Sequence, residues 1–238
     1  MGKLLKGGFI AALVAGSIGM VAVPAAQAVP TPCTGLIANT RIGGDVEVPG
    51  GQTCTLSNVI VGNRVVVDPT GRLVMLGTTV AGNLVATQPA SIRIDSLGCA
   101  GTSCTTPSIV RGTATIDGTT SVPAGFTKNY VCNGTKFNGD SMSLKNSAST
   151  APYDVGGSTC SFGGNSAFGV MRVTGNAGNV SFANNRAGDN IVVNTNTGGG
   201  SLVNNHSGGS ILCSGNVPAY AASGNSAAFT NQSKLGTC

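Results

Sequence analysis

The stretch Met171-Arg172-Val173-Thr174-Gly175-Asn176, followed by Val180-Ser181-Phe182-Ala183-Asn184-Asn185 and Ile191-Val192-Val193-Asn194-Thr195-Asn196, decides the fold. One pattern runs through all three: apolar, any residue, apolar, two loose positions, then Asn. It recurs at 160–165, 201–206, 211–216 and 220–225. Asn165, Asn176, Asn185, Asn196, Asn216 and Asn225 close these units, with His206 in the same place in the Ser201 unit. Apolar residues two apart face one side of an extended strand. Asn tolerates the left-handed conformation and bonds nearby backbone, so it is expected at the turn. Strands this short do not pair stably as isolated hairpins. Taken two at a time, the units repeat about every 20 residues, the length of one coil of a parallel β-solenoid. Stacked coils would align the Asn and His side chains into a hydrogen-bonded ladder.

The first third of the chain carries the same rhythm in another texture. Ile42–Val48 aligns with Val61–Val67 and with Ala81–Thr87, and between them fall the doublets Cys54/Leu56, Leu73/Met75 and Ile92/Ile94. Pro49-Gly50-Gly51 and Pro69-Thr70-Gly71 mark equivalent turns. The expectation is an all-β, right-handed parallel β-helix over 42–225, two doublets per coil, with an irregular insertion at 96–159 read as coils carrying one or two longer loops, Met142/Leu144 among their strands. Segments 29–41 and 226–238 are expected to cap its open ends, since an uncovered edge recruits other strands. The rival architecture is an antiparallel sandwich of short strands.

Residues 1–28 read as a secretory signal peptide. Lys3 and Lys6 precede an uncharged apolar run from Phe9 to Val23, and Ala26-Gln27-Ala28 supplies a small-x-small cleavage site. Its removal takes the formal charge from +5 to +3. The basic residues are scattered singly, without interleaved aromatics, so nucleic acid is not an expected partner. No later apolar segment is long enough for a span, so no membrane is expected after cleavage.

All eight cysteines follow the leader: Cys33, Cys54, Cys99, Cys104, Cys132, Cys160, Cys213 and Cys238. An even number in a secreted chain implies disulfides. Sequence alone leaves the connectivity open; sequential pairing is the working expectation. Metal binding at Cys99 and Cys104 is the weaker reading, because the single His is distant in sequence and no Cys-x-x-Cys occurs.

The Gly-Asn-(Leu/Val) strand starts (Gly82-Asn83-Leu84, Gly178-Asn179-Val180), the Pro-x-Gly turns and the end Cys213-Ser214-Gly215-Asn216 resemble uncharacterised secreted right-handed β-helix proteins of actinobacteria. The resemblance spans nearly the whole mature chain apart from 96–159. It implies the fold and carries no established reaction. Likeness to pectate-lyase-type helices is one of architecture, and a shared fold does not carry a shared activity.

The chemistry-bearing residues are sparse. The eight acids are Asp45, Glu47, Asp68, Asp95, Asp117, Asp140, Asp154 and Asp189. Only Asp45 and Glu47 share a strand at period two, where they would face solvent. Asn194-Thr195-Asn196 is similar to the Asn-Thr-Asp stretch of polygalacturonases, but Asn stands where that chemistry needs Asp. His206 reads as a turn residue rather than a base. No catalytic residue, cofactor or metal ligand is assigned. Trp is absent and there are three Tyr, which weakens a sugar-stacking platform, although aromatics between Phe126 and Phe137, with Tyr153, would supply one if exposed. The expected role is a secreted, structural or surface-associated protein without catalysis. Binding of an extracellular polysaccharide or the cell wall is the alternative, and a carbohydrate-active enzyme ranks third. The oligomeric state is left open.

Overall fold

The computed structural model describes residues 29–100, 103–124, 128–132, 135–139, 141–145, 147, 152–156, 164–229 and 238. The expected leader lies outside them. Among the described residues no helix is long and apolar enough to cross a membrane.

The chain winds through nine coils, and each coil contributes one strand to each of three nine-stranded parallel sheets. Val46–Val48, Thr53–Ser57 and Ile60–Val61 make one coil. Val65–Val67, Arg72–Leu76 and Thr79–Val80 lie directly above them in the next. The protein is a three-sided parallel β-helix. At the usual spacing between strands, nine coils make a rod roughly 40 Å long. Val180–Ala183 pairs in parallel with Tyr153–Val155 and with Gly200–Val203, whereas Ile191–Asn194 belongs to a different sheet. The sandwich is thereby excluded. Leu97–Ala100 and Ser103–Thr106 form the one antiparallel pair among the described residues, a hairpin leaving the fourth coil.

Register explains the core. On the first face Val46, Val65, Leu84, Ala114, Met142, Met171, Ile191 and Ile211 stack one above another. On the second face the equivalent column is Leu56, Met75, Ile94, Val131, Val155, Phe182 and Leu202. Every residue of both columns is at most 1% exposed. A slip of one residue would turn each column out to water, so burial itself holds the register.

The third face departs from the two-doublet expectation. Its strands are two residues long, with one inward side chain each: Ile42, Val61, Val80, Val110, Phe137, Ala167, Ala187, Ser207 and Ala227. A single inward residue carries no alternation, so periodicity does not reveal it. The register also corrects one alignment: Val80, not Ala81, stands over Val61, and Leu84 over Val65.

Both ends are more regular than expected. Segment 29–41, read as a cap, holds Thr31–Pro32 and Leu36–Ala38 and leads into Arg41–Ile42, the three strands of the first coil. Pro32 sits on an edge strand, where a missing donor is tolerated. Segment 96–159 also carries coil strands, including Ala114–Asp117, Asn129–Val131 and Ser141–Lys145. The irregularity is confined to the hairpin and to longer corners. At the far end Ser226–Ala227 is the last strand of the third face.

Two described disulfides close the two ends of the core. Cys33 bonds Cys54, and Cys213 bonds Cys238. All four are at most 5% exposed and belong to the one apolar cluster. Cys132 is disulfide-bonded as well, while Cys160 lies outside the described residues. Cys99 and Cys104 face each other across the hairpin backbone, and their side chains lie outside the described set.

Candidate functional site

The Asn residues form two internal ladders. One runs Asn176–Asn196–Asn216, at the corner between the first and second faces; the other runs Asn165–Asn185–Asn205–Asn225, between the second and third. Each rung repeats the same bonds. The Asn185 amide nitrogen donates to Asn205 Oδ1 at 3.0 Å and to the Val155 carbonyl at 2.8 Å, and the Asn185 backbone N–H donates to the same Asn205 Oδ1 at 2.9 Å. Asn196 does likewise with Asn216 and Val173. Asn205 continues to Asn225 and Phe182. Buried amides that meet their partners rigidify a core; left unmet they would be costly.

Two features of this arrangement correct the sequence reading. The rung is not the turn. The left-handed residue is the one before it: Gly175, Asn184, Thr195, Asn204, Gly215 and Gly224 all have φ between 52° and 67°. That residue turns the chain, and the next side chain then points back inside. Second, His206 is not a rung. Asn205 holds the slot, so the unit is Gly200–Asn205 and begins with a glycine. The ring of Tyr220 packs over Gly200, where a Cβ would lie 2.9 Å from it. Tyr220 is buried, which pushes its phenol pKa up. The Asn204-Asn205 pair, spaced 20 residues from Asn184-Asn185, was the signal that identifies the rung. His206 is exposed on the third face, its Nδ1 2.9 Å from Ser226 Oγ.

The acids are separated. Asp45 stands at a corner and is nearly buried; it accepts from the Asn63 amide at 2.6 Å and the Arg64 Nε at 2.8 Å. Burial works against its charged form, but the Arg64 bonds and charge and the Asn63 amide outweigh that, so its pKa lies below the ordinary 3.8. Glu47 lies on the outer side of the first face, half-buried, with no share in that network. Asp95 pairs with Arg93 at 3.2 Å on the second face, and Asp117 with Lys145 at 4.0 Å on the first. Asp154 is fully buried between Tyr130 and Ser181 in its strand row. Among the described residues no three His, Cys, Asp or Glu side chains converge as a metal site.

The aromatics proposed as a platform are divided. Phe137 and Tyr153 are in the core, with the Tyr153 hydroxyl bonded to Thr119 Oγ1. Tyr130 is half-buried on the outer second face, and Phe126 lies outside the described residues. The exposed aromatics among the described residues are two that sequence reading passed over: Phe168, 79% exposed, beside the third face, and Phe229, 65% exposed, just after the last strand of that face.

The chain matches no protein-family model, no curated protein and no solved structure.

Proposed function

We propose that the chain acts outside the cell as a non-catalytic β-solenoid, a stiff rod used as a structural or surface-associated component. The observation that supports this most is where its polar side chains are spent. The Asn side chains run lengthwise inside the rod as ladders, and a disulfide stands at each end of the core. Three of the acids are each turned to a cation of the same coil or the next. These are investments in rigidity and end closure, as expected of a chain that persists among proteases. The signal-peptide pattern of 1–28 and the even cysteine number support export. We place the chain beside the secreted β-helix proteins of actinobacteria on its repeat pattern.

The test begins with expression from its own leader in a secreting host. The expected product starts at Val29, is found in the medium or wall fraction, and resists protease until a reductant is added. In the same preparation, a panel of polysaccharides incubated with and without Ca²⁺ is expected to release no new sugar ends. Sugar release would overturn the non-catalytic reading, and retention of the product in the cytoplasm would overturn the extracellular one.

A further inference from the structure

The three outer faces differ in charge. On their strands the first face sets Lys145 and Arg172 against Glu47 and Asp117, and the second sets Arg72 and Arg93 against Asp95 and Asp154, so each balances; ion pairs take up Arg64, Arg93 and Lys145. The third face carries Arg41, Lys136 and Arg186 in one outward row with His206, and Arg111 in the next row. All of these are exposed, and among the described residues none of the four cations is in an ion pair. No described acid lies on the strands of this face; Asp189 follows at the corner after Gly188, and Asp45 is engaged by Arg64.

Phe168 stands in the Arg111 row, two coils further on. Lys136 lies one coil before it and Arg186 one coil after, so the two cations are about 10 Å apart along the rod, with Phe168 at the intervening coil one row aside. Beyond Phe168 the row continues as Gly188 and Gly208, which pack so closely on their neighbours that a Cβ would lie 2.0 and 2.2 Å from the carbonyl oxygens of Phe168 and Gly188. Past the ring this row is therefore bare backbone, with the Asp189 carboxylate at the corner beside it.

We infer that the third face, from Arg111 to His206, is a docking surface for a linear acidic polysaccharide lying along the rod axis. The cations take carboxylates, with Arg111 and Arg186 offering forked donors. Phe168 takes the apolar side of a sugar ring, and the glycine floor lets the polymer approach the backbone. The periodic face matches a periodic chain, and none of its four cations is ion-paired within the described protein. The inference rests on the extracellular reading for the choice of polymer and does not need the non-catalytic one.

The test uses the purified, oxidised mature protein with polyglucuronate and with the neutral glucan from which that polymer is made. The expected result is retention on polyglucuronate that weakens with salt and no retention on the glucan. The combined variant Arg111→Gln, Lys136→Gln and Arg186→Gln should lose at least tenfold in affinity, and Phe168→Ala several-fold with the salt dependence unchanged. Arg72→Gln with Arg172→Gln, exposed on the other two faces, should bind as the parent does. Unfolding midpoints of all variants check that they fold. No retention at low salt, or equal loss in the Arg72/Arg172 control, overturns the inference. So does equal binding of inorganic polyphosphate together with an inert Phe168→Ala, which would indicate charge alone. Sugar ends measured in the same tubes separate the outcomes: release contradicts the non-catalytic role and leaves the docking face standing, and loss of retention does the reverse.

Discussion

The first five coils and the last four solve the same corner differently. Between the second and third faces the inward corner position is Val59, Thr78, Ser108 and Thr135 in the second to fifth coils, and Asn165, Asn185, Asn205 and Asn225 in the sixth to ninth. The third-face residue two positions later changes at the same coil. It is Ile42, Val61, Val80, Val110 and Phe137 in the first five, then Ala167, Ala187, Ser207 and Ala227. A small hydroxyl or Val is thus followed by a large apolar side chain, and a larger amide by a small one. A core at crystal-like density admits one or the other. The N-terminal coils are held by apolar volume with a few hydroxyl bonds, such as Thr78 Oγ1 to the Leu56 carbonyl at 2.9 Å and Ser108 Oγ to the Asp95 carbonyl at 2.6 Å. The C-terminal coils give up apolar volume and gain a continuous amide ladder. The boundary shows where one system stops: Thr135 donates its hydroxyl to the Cys132 carbonyl, and Asn165 Oδ1, next in line, is left without a partner.

The largest expected effect comes from breaking the ladder in its middle. Asn205→Ala removes the bonds of Asn205 to Phe182 and Asn225 and leaves the backbone and amide donors of Asn185 without their acceptor. Two stranded donors at roughly 1–3 kcal/mol each put the loss at about 2–6 kcal/mol. Thr78→Ala in the other half should cost about 1 kcal/mol, the ordinary net value of one bond. Denaturant midpoints compare the two; equal losses would mean that the ladder adds nothing beyond separate bonds.

Removal of the N-terminal staple comes next. Cys33→Ser with Cys54→Ser is expected to cost about 2–4 kcal/mol, read in the same titrations, because it both frees the end coil and puts hydroxyls in an apolar cluster. The volume exchange is tested by extending the ladder one coil. Thr135→Asn alone should overpack against Phe137, and Phe137→Ala alone should leave a cavity. The double variant should be more stable than the sum of the singles by roughly 1–2 kcal/mol. Strict additivity would contradict the coupling.

Two smaller effects sharpen the picture. Thr195 is a β-branched residue at φ 52°, where Gly175 and Gly215 hold the same corner in the coils on either side. Thr195→Gly is expected to raise stability by about 1 kcal/mol, the approximate cost of the left-handed conformation, measured as a shift in midpoint. Asp45 has a lowered pKa in the folded protein, so its contribution is present above the unfolded value near 3.8 and fades as the pH falls through the folded one. Asp45→Asn should therefore flatten the loss of stability on acidification while costing under about 1 kcal/mol near neutrality, since Arg64 is well exposed. A parallel pH profile for the two proteins would show that Asp45 does not couple to folding.

Much of the fold was legible because doublets such as Cys54/Leu56, Leu73/Met75 and Ile92/Ile94 repeat at fixed spacing, and their stacking in register on the second face follows directly. What periodicity could not show was the third face, whose strands hold one inward residue, or the rung slot, because Asn204 and Asn205 are the same residue type one position apart. A one-residue slip there exchanged the ladder for exposed His206. The outward surface was harder still. Arg111, Lys136 and Arg186 are far apart in the chain and become neighbours only when the coils stack, so no local window brings them together with Phe168.

The central claim is that the position-six Asn side chains are buried rungs and the residues before them are exposed turns. Hydrogen exchange of side-chain amide protons, followed by NMR with assigned Asn resonances, tests it directly. The account predicts slow exchange for Asn176, Asn185, Asn196 and Asn205, all at most 1% exposed, and fast exchange for the exposed Asn204 beside them. Equal and fast exchange across both sets would contradict the ladder and the three-sided coil geometry built on it.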